Sequence, residues 1–165
     1  MAKPQVGIVI GSISDKECIT ETCKILDFFD NKYELTVCSA HRTPAKAAEY
    51  AKSAAKRGLE IIIAGAGAAA HLGGVLASHT LLPVIGVPIP SSELKGVDAL
   101  YSTVQMPGGI PVATMAIGKS GAKNAGIFAA EILALKIPSL TKKLKEYRKE
   151  LADKVEKDNK KLKSS

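Results

Sequence analysis

The sequence holds no tryptophan, and phenylalanine and tyrosine together supply only 4% of its 165 residues. Single-stranded nucleic acid is gripped largely on aromatic platforms, so that function class has little support. Long apolar runs are also missing. Glycine and proline interrupt each one well short of the roughly 18 residues needed to span a bilayer, so no membrane partner is expected. No signal-peptide layout is present, and the three cysteines are an odd number without metal-ligand clustering. Both features point to a reducing compartment, and a cytoplasmic protein is expected.

Negative charge is in short supply, leaving a net charge of +7. Its distribution argues against a nucleic-acid surface. From Ser139 onward there are ten Lys/Arg and five Asp/Glu, against thirteen and eleven in all the rest. The excess therefore belongs to one mixed-sign C-terminal segment, the usual composition of a solvated helix face. No nucleic-acid partner is expected.

The pattern that remains is an alternation of short apolar runs with helix-like segments. Val6–Ile10, Leu35–Cys38, Leu59–Ala64, Leu82–Val87 and Val112–Ile117 read as strands. Helical spacing covers Asp15–Phe29, with Ile19, Cys23, Leu26 and Phe29 on one side. It returns in the alanine-rich Pro44–Lys56, closed by Gly58, in the stretch from Gly67 to about His79, and in Ala122–Leu135. Strands apolar throughout and separated by helices indicate a parallel sheet covered on both faces. With right-handed crossovers the expected fold is a three-layer α/β/α sandwich, flavodoxin-like. The proline-rich segments from Pro88 to Ser92 and from Met106 to Pro111 read as stiff loops that could cover a site.

Ile137, Leu140, Leu144, Tyr147, Leu151 and Val155 recur at three- and four-residue intervals, which predicts an amphipathic C-terminal helix. That stripe suits packing on its own domain or on a neighbouring subunit. No linker or internal repeat divides the chain. One domain over 1–165 is expected, with an α/β core over 1–135 and the C-terminal helix over 138–160.

Chemistry concentrates at three strand-to-helix junctions, which a parallel sheet brings to one edge. The first is Gly11-Ser-Ile-Ser-Asp15. Ser14 and Glu17 have capping-box spacing, which predicts Ser14 at a helix N-cap, while Gly11 and Ser12 let the backbone approach a ligand. Asp15 suits either a sugar diol or the helix dipole. The second junction, Ser39-Ala-His-Arg-Thr-Pro44, is the most informative. Thr43 and Pro44 read as N-cap and first helical residue. His41 and Arg42 then stand at a helix start, where anions are favoured. An imidazole both accepts and delivers a proton near neutral pH, and a guanidinium fork matches phosphate or carboxylate. A lone histidine is more often structural than catalytic, but this one falls at an exposed edge. Cys38 precedes it by three residues, weak support for a metal.

The third junction, Ala64 to Gly74, offers small residues whose amides could face a ligand, or whose size merely allows close helix packing. It matches neither the P-loop nor the dinucleotide fingerprint. His71 within it, and His79 after it, read as hydrogen-bonded structural residues.

Taken together these motifs resemble the PurE family of purine biosynthesis. The matching stretches are the three junctions, Gly96-Val-Asp-Ala-Leu-Tyr-Ser102, Gln105-Met-Pro-Gly-Gly-Ile-Pro-Val112 and Ala116-Ile-Gly-Lys119, in family order as far as about Leu135. The resemblance implies a class I enzyme, N5-carboxyaminoimidazole ribonucleotide mutase. Such an enzyme moves a carboxyl group from the exocyclic nitrogen to ring carbon C4, in de novo purine synthesis. Arg42 favours that class over the one that carboxylates aminoimidazole ribonucleotide with CO2, which often carries lysine there. A non-enzymatic phosphate-ligand module is the remaining alternative, and it leaves His41 beside Arg42 unexplained. For that reaction one imidazole between the nitrogen and C4 can supply the first proton and remove the second, and His41 is the expected shuttle. By the resemblance Ser12, Asp15 and Arg42 bind substrate, and Ser14, Ser39, Ala66, Gly67 and Leu72 are assigned to the substrate with them. Asp15 falls to the ribose hydroxyls, Ser14 and Arg42 to the 5′-phosphate. Ser39, with backbone at Ala66, Gly67 and Leu72, falls to the imidazole and its carboxylate. No metal, redox group or nucleotide cofactor is called for, and a homo-octamer is implied. Position 108 is glycine where some relatives carry arginine, so no charge role transfers there.

Overall fold

Val6–Ile10 is apolar or small at every position and buried at every position, as an interior strand of a doubly covered sheet must be. In the computed structural model, which describes residues 3–163, this strand is β1. A single 3-10 turn, Ile13–Asp15, leads into α1, Lys16–Phe28. There follow β2 (Tyr33–Val37), α2 (Pro44–Arg57), β3 (Ile61–Gly67), α3 (Leu72–Ala77) and β4 (Val84–Ile89). Then come α4 (Val97–Val104), β5 (Ala113–Thr114), α5 (Lys119–Ala134) and α6 (Pro138–Lys163).

The sheet runs β2-β1-β3-β4-β5 with every pair parallel. This is the flavodoxin-like order, and its direction reverses between β1 and β3. Ile10 pairs with Val37 on one side and with Gly65 on the other, so the loops after β1, β2 and β3 leave from one level. Alternation along the strands separates two buried layers. Val9, Ile62, Ala64 and Val84 pack with Ala47, Ala51 and Ala54 of α2 and with Leu72 and Leu76 of α3. On the other face α1 lies against the start of α5, where the Thr22 hydroxyl donates to the Ala122 carbonyl at 2.7 Å. Alanine and glycine at these positions allow close helix-to-sheet approach.

Besides shifted element ends, among them a fifth strand of only two residues and a third helix that starts at Leu72, four local expectations need correction. Ser14 is not the cap: the capping box is formed two residues earlier, by Ser12 and Asp15. A 3-10 turn intervenes before α1, and Asp15 there serves as the residue that reaches back. Thr43 does stand at the N-cap of α2, but its hydroxyl bonds the Ser39 carbonyl and amide instead of the helix amides. Pro88 and Ile89 belong to β4 and not to a loop. Gly86 and Pro88 direct their carbonyls toward the β5 side, accepting from Met115 N and Gly118 N. Because β5 pairs only as far as Gly86, proline's missing N–H forfeits no ladder bond. Finally, α4 was not expected. Its eight residues include three β-branched side chains, and it is held by burying Ala99 and Thr103.

The contact pattern divides the chain into two compact units at Ala129, within α5. In the second unit Arg148 pairs with Glu131 at 2.6 Å, and the Thr141 hydroxyl donates to the Ala134 carbonyl. Leu140 and Leu144 of the expected stripe are buried, whereas Leu151 and Val155 are exposed, as is every described residue beyond them.

Candidate active site

Gly11 N donates to Gly65 O at 3.1 Å, which carries the β1–β3 ladder to the very edge of the sheet. Past that point the chain turns sharply. Asp15 Oδ2 accepts from Ser12 N at 2.9 Å, and Ser12 Oγ accepts from the Ser14 hydroxyl at 3.0 Å. The two serine hydroxyls are thereby held together at the rim. Asp15 is only 4% exposed, and burial raises its carboxyl above the ordinary value. The Ser12 and Gly11 backbone amides pull the other way without cancelling that effect.

The turn after β2 is knotted by its own side chains. Thr43 N and the Thr43 hydroxyl both donate to Ser39 O, at 2.9 and 2.8 Å. Ser39 N donates back to Thr43 Oγ1 at 3.1 Å, and Arg42 N donates to Ser39 Oγ at 3.2 Å. This closed loop leaves His41 and Arg42 exposed, with Arg42 Nη2 donating to Gly11 O at 3.5 Å, a long contact.

Beyond β3 the backbone is strained. Ala68 has φ 51°, the left-handed region that a Cβ disfavours, and tight bonds join Ala70 N to Ala68 O and His71 N to Ala69 O. These turns bring His71 to His41, with Nδ1 of the former 2.8 Å from Nε2 of the latter and the rings edge-on at 86°. One nitrogen must carry the proton and the other the lone pair, so the contact fixes the His41 ring and couples its tautomer to that of His71. The expectation for His71 was a structural residue. It is hydrogen-bonded, and its partner is His41.

These turns enclose a cavity of about 400 Å³ at the switch point. His41, Ser12, Ser14, Asp15, Ser39, Arg42, Ala66, Gly67 and Leu72 all line it, so every site residue expected from the sequence meets here. Ser91, from the segment after β4, lines it as well and was missed. Gly67 is what admits Ser91: a Cβ there would lie 1.7 Å from Ser91 Oγ and 2.9 Å from Ile89 O. The signal for Ser91 was its place after a fourth strand, the same relation the three junctions bear to theirs. Cys38 is buried with its sulfur 3.7 Å from Thr43 Oγ1. Among the described residues no three His, Cys, Asp or Glu side chains are grouped to hold a metal ion.

The cavity thus presents one fixed imidazole, one guanidinium, one buried carboxylate and four serines, over a floor of small residues. It suits a ligand that carries an anion, hydroxyls and a site for proton transfer.

The profile of the AIR carboxylase family matches residues 5–154. N5-carboxyaminoimidazole ribonucleotide mutase of Pyrococcus horikoshii is 56% identical over 160 residues, covering 97% of this chain and 89% of that protein. The protein of the same name from Thermotoga maritima is 55% identical over 152 residues, covering 92% and 88%. The crystal structure of Treponema denticola PurE superposes with a TM-score of 0.86 at 31% identity, covering 98% of this chain and 99% of that one. With its strand order, its switch-point cavity and the match over nearly its whole length, the chain belongs to the AIR carboxylase family.

Proposed function

We propose that this protein is an N5-carboxyaminoimidazole ribonucleotide mutase, which moves the carboxyl group from the exocyclic nitrogen to C4 and yields 4-carboxy-5-aminoimidazole ribonucleotide. The observation that carries this reading is the single imidazole, ring-locked by His71, on the same cavity as Arg42 and the serine–aspartate turn. Relatives bearing the mutase name at more than half identity support it.

Cleaving the N-carboxylate requires a proton on that nitrogen and leaves CO2 beside an electron-rich aminoimidazole. Carbon C4 recaptures the CO2 if the cavity keeps it close and excludes water. The C4 adduct then loses its ring proton to recover aromaticity. The two proton transfers run in opposite directions, so one imidazole serves both, and the enzyme ends in the protonation state in which it began. His41 has this role. Arg42 and Ser14 receive the 5′-phosphate, Asp15 the ribose hydroxyls, and Ser39 with the backbone of Ala66, Gly67 and Leu72 the imidazole and its carboxylate. Ser12 joins the phosphate side through its bond to Ser14.

The protein acts in the cytoplasm as a homo-octamer in this reading. The exposed Leu151 and Val155, on a stripe that is buried at Leu140 and Leu144, support assembly. Light scattering checks the subunit number. The activity test supplies each purified substrate with and without bicarbonate. Product from the carboxyamino compound alone is expected; turnover only from aminoimidazole ribonucleotide with bicarbonate would make the protein a direct carboxylase.

A further inference from the structure

A second cavity, of about 370 Å³, opens beside the first. Ser14 and Ser91 line both, so these two residues form a partition between neighbouring spaces. On the far side stand Glu17 of α1 and Lys119, the first residue of α5. Lys119 Nζ donates to Glu17 Oε1 at 2.7 Å, with 64% and 82% of the two side chains exposed.

An ion pair this open contributes little to stability, since water screens it and two long side chains must be held still. Its position is therefore the informative property. The pair holds an ammonium at the entrance of a space whose shared wall is the serine turn. A phosphate dianion at that turn offers more charge and more acceptor oxygens than one carboxylate, so it competes well for the ammonium. Arg42 approaches the same turn from the first cavity as a planar fork, whereas a lysine acts as a mobile point charge. The two cations are thus suited to different sides of one phosphate.

We infer that Lys119 is a second cation for the 5′-phosphate of the substrate, held by Glu17 in the free protein and transferred to the phosphate on binding. The assignment rests on the ribonucleotide reading above. Together the two residues set the preference for a phosphorylated substrate over its nucleoside.

Calorimetric binding of ribose 5-phosphate, beside KM and kcat for the carboxyamino ribonucleotide, tests it. Lys119→Met is expected to weaken ribose 5-phosphate about tenfold, the loss of one charge-assisted hydrogen bond, and to raise KM in proportion with a smaller effect on kcat. Lys119→Arg restores most of both, and Glu17→Gln tightens binding by freeing the ammonium. A merely structural tie predicts the opposite pattern, in which Lys119→Met and Glu17→Gln lower Tm alike and leave affinity unchanged. Unchanged affinity in Lys119→Met, or weaker binding in Glu17→Gln, overturns the inference. If the wild-type protein binds ribose 5-phosphate through Lys119 yet converts no carboxyamino substrate, the mutase reading fails and this assignment stands.

Discussion

The interior of the sheet and its carboxyl rim are built from similar small and apolar residues, yet they are held by opposite means. Inside, Ile8, Ile62 and Ile63 are wholly buried and need no polar partner. At the rim, order comes from hydroxyls and amides bonded over two to four residues, as between Ser12 and Asp15 or Ser39 and Thr43. The rim also carries features that oppose stability: a carboxylate 4% exposed at Asp15 and a left-handed alanine at position 68. Stability is drawn from the interior, and the rim tolerates strain that positions reactive groups.

Substitutions should separate the two regions. The largest effect is expected at His41. His41→Asn should lower kcat by about 10²–10⁴-fold, the usual contribution of a general acid–base group, while Tm and substrate binding stay near wild type. Near-wild-type turnover would remove the shuttle. Ile63→Ala should show the converse, a loss of about 2–5 kcal/mol in denaturant unfolding with kcat of the folded protein retained. A weaker effect is expected of Arg42→Ala, which on the proposed assignment removes a charged contact to phosphate and should raise KM roughly tenfold or more with little change in Tm. Unaltered KM would place the phosphate elsewhere.

Asp15→Asn probes the strain directly. Because burial raises the Asp15 carboxyl in the folded protein, its ionisation opposes folding. Its contribution to stability is fully present below the unfolded-state value and is lost as pH rises through the folded one. At neutral pH the ligand-free Asn variant should therefore be the more stable of the two, with the gain disappearing in acid, and should bind substrate less well. Equal Tm–pH curves would show the carboxylate to be unstrained. The smallest effect belongs to Ala68→Gly, expected to stabilise by about 0.5–1 kcal/mol through relief of the left-handed Cβ, with some loss of His71 positioning.

Strands and junctions were legible in the sequence because uninterrupted apolar runs such as Val6–Ile10 leave few alternatives, and Gly and Ser mark where they end. The three cavity-forming turns could be recognised because each couples a strand end to reactive or small residues. What escaped depends on the third dimension. The capping box fell on Ser12 and Asp15 because a 3-10 turn shifted the helix start, and two candidate serines gave similar spacing. Pro88 could be assigned to β4 only by knowing that β5 stops short of it. The His41–His71 contact joins residues 30 positions apart, and Ser91 enters the cavity because Gly67 leaves room. Neither pairing has a local signature.

The central claim is that the carboxyl group leaves nitrogen and reaches C4 without escaping the cavity. It is tested most directly with substrate carrying a 13C-labelled carboxyl, turned over in excess unlabelled bicarbonate and followed by carbon NMR of the product. The account predicts that the C4 carboxyl retains the label. A product carrying the unlabelled pool's carbon would contradict it.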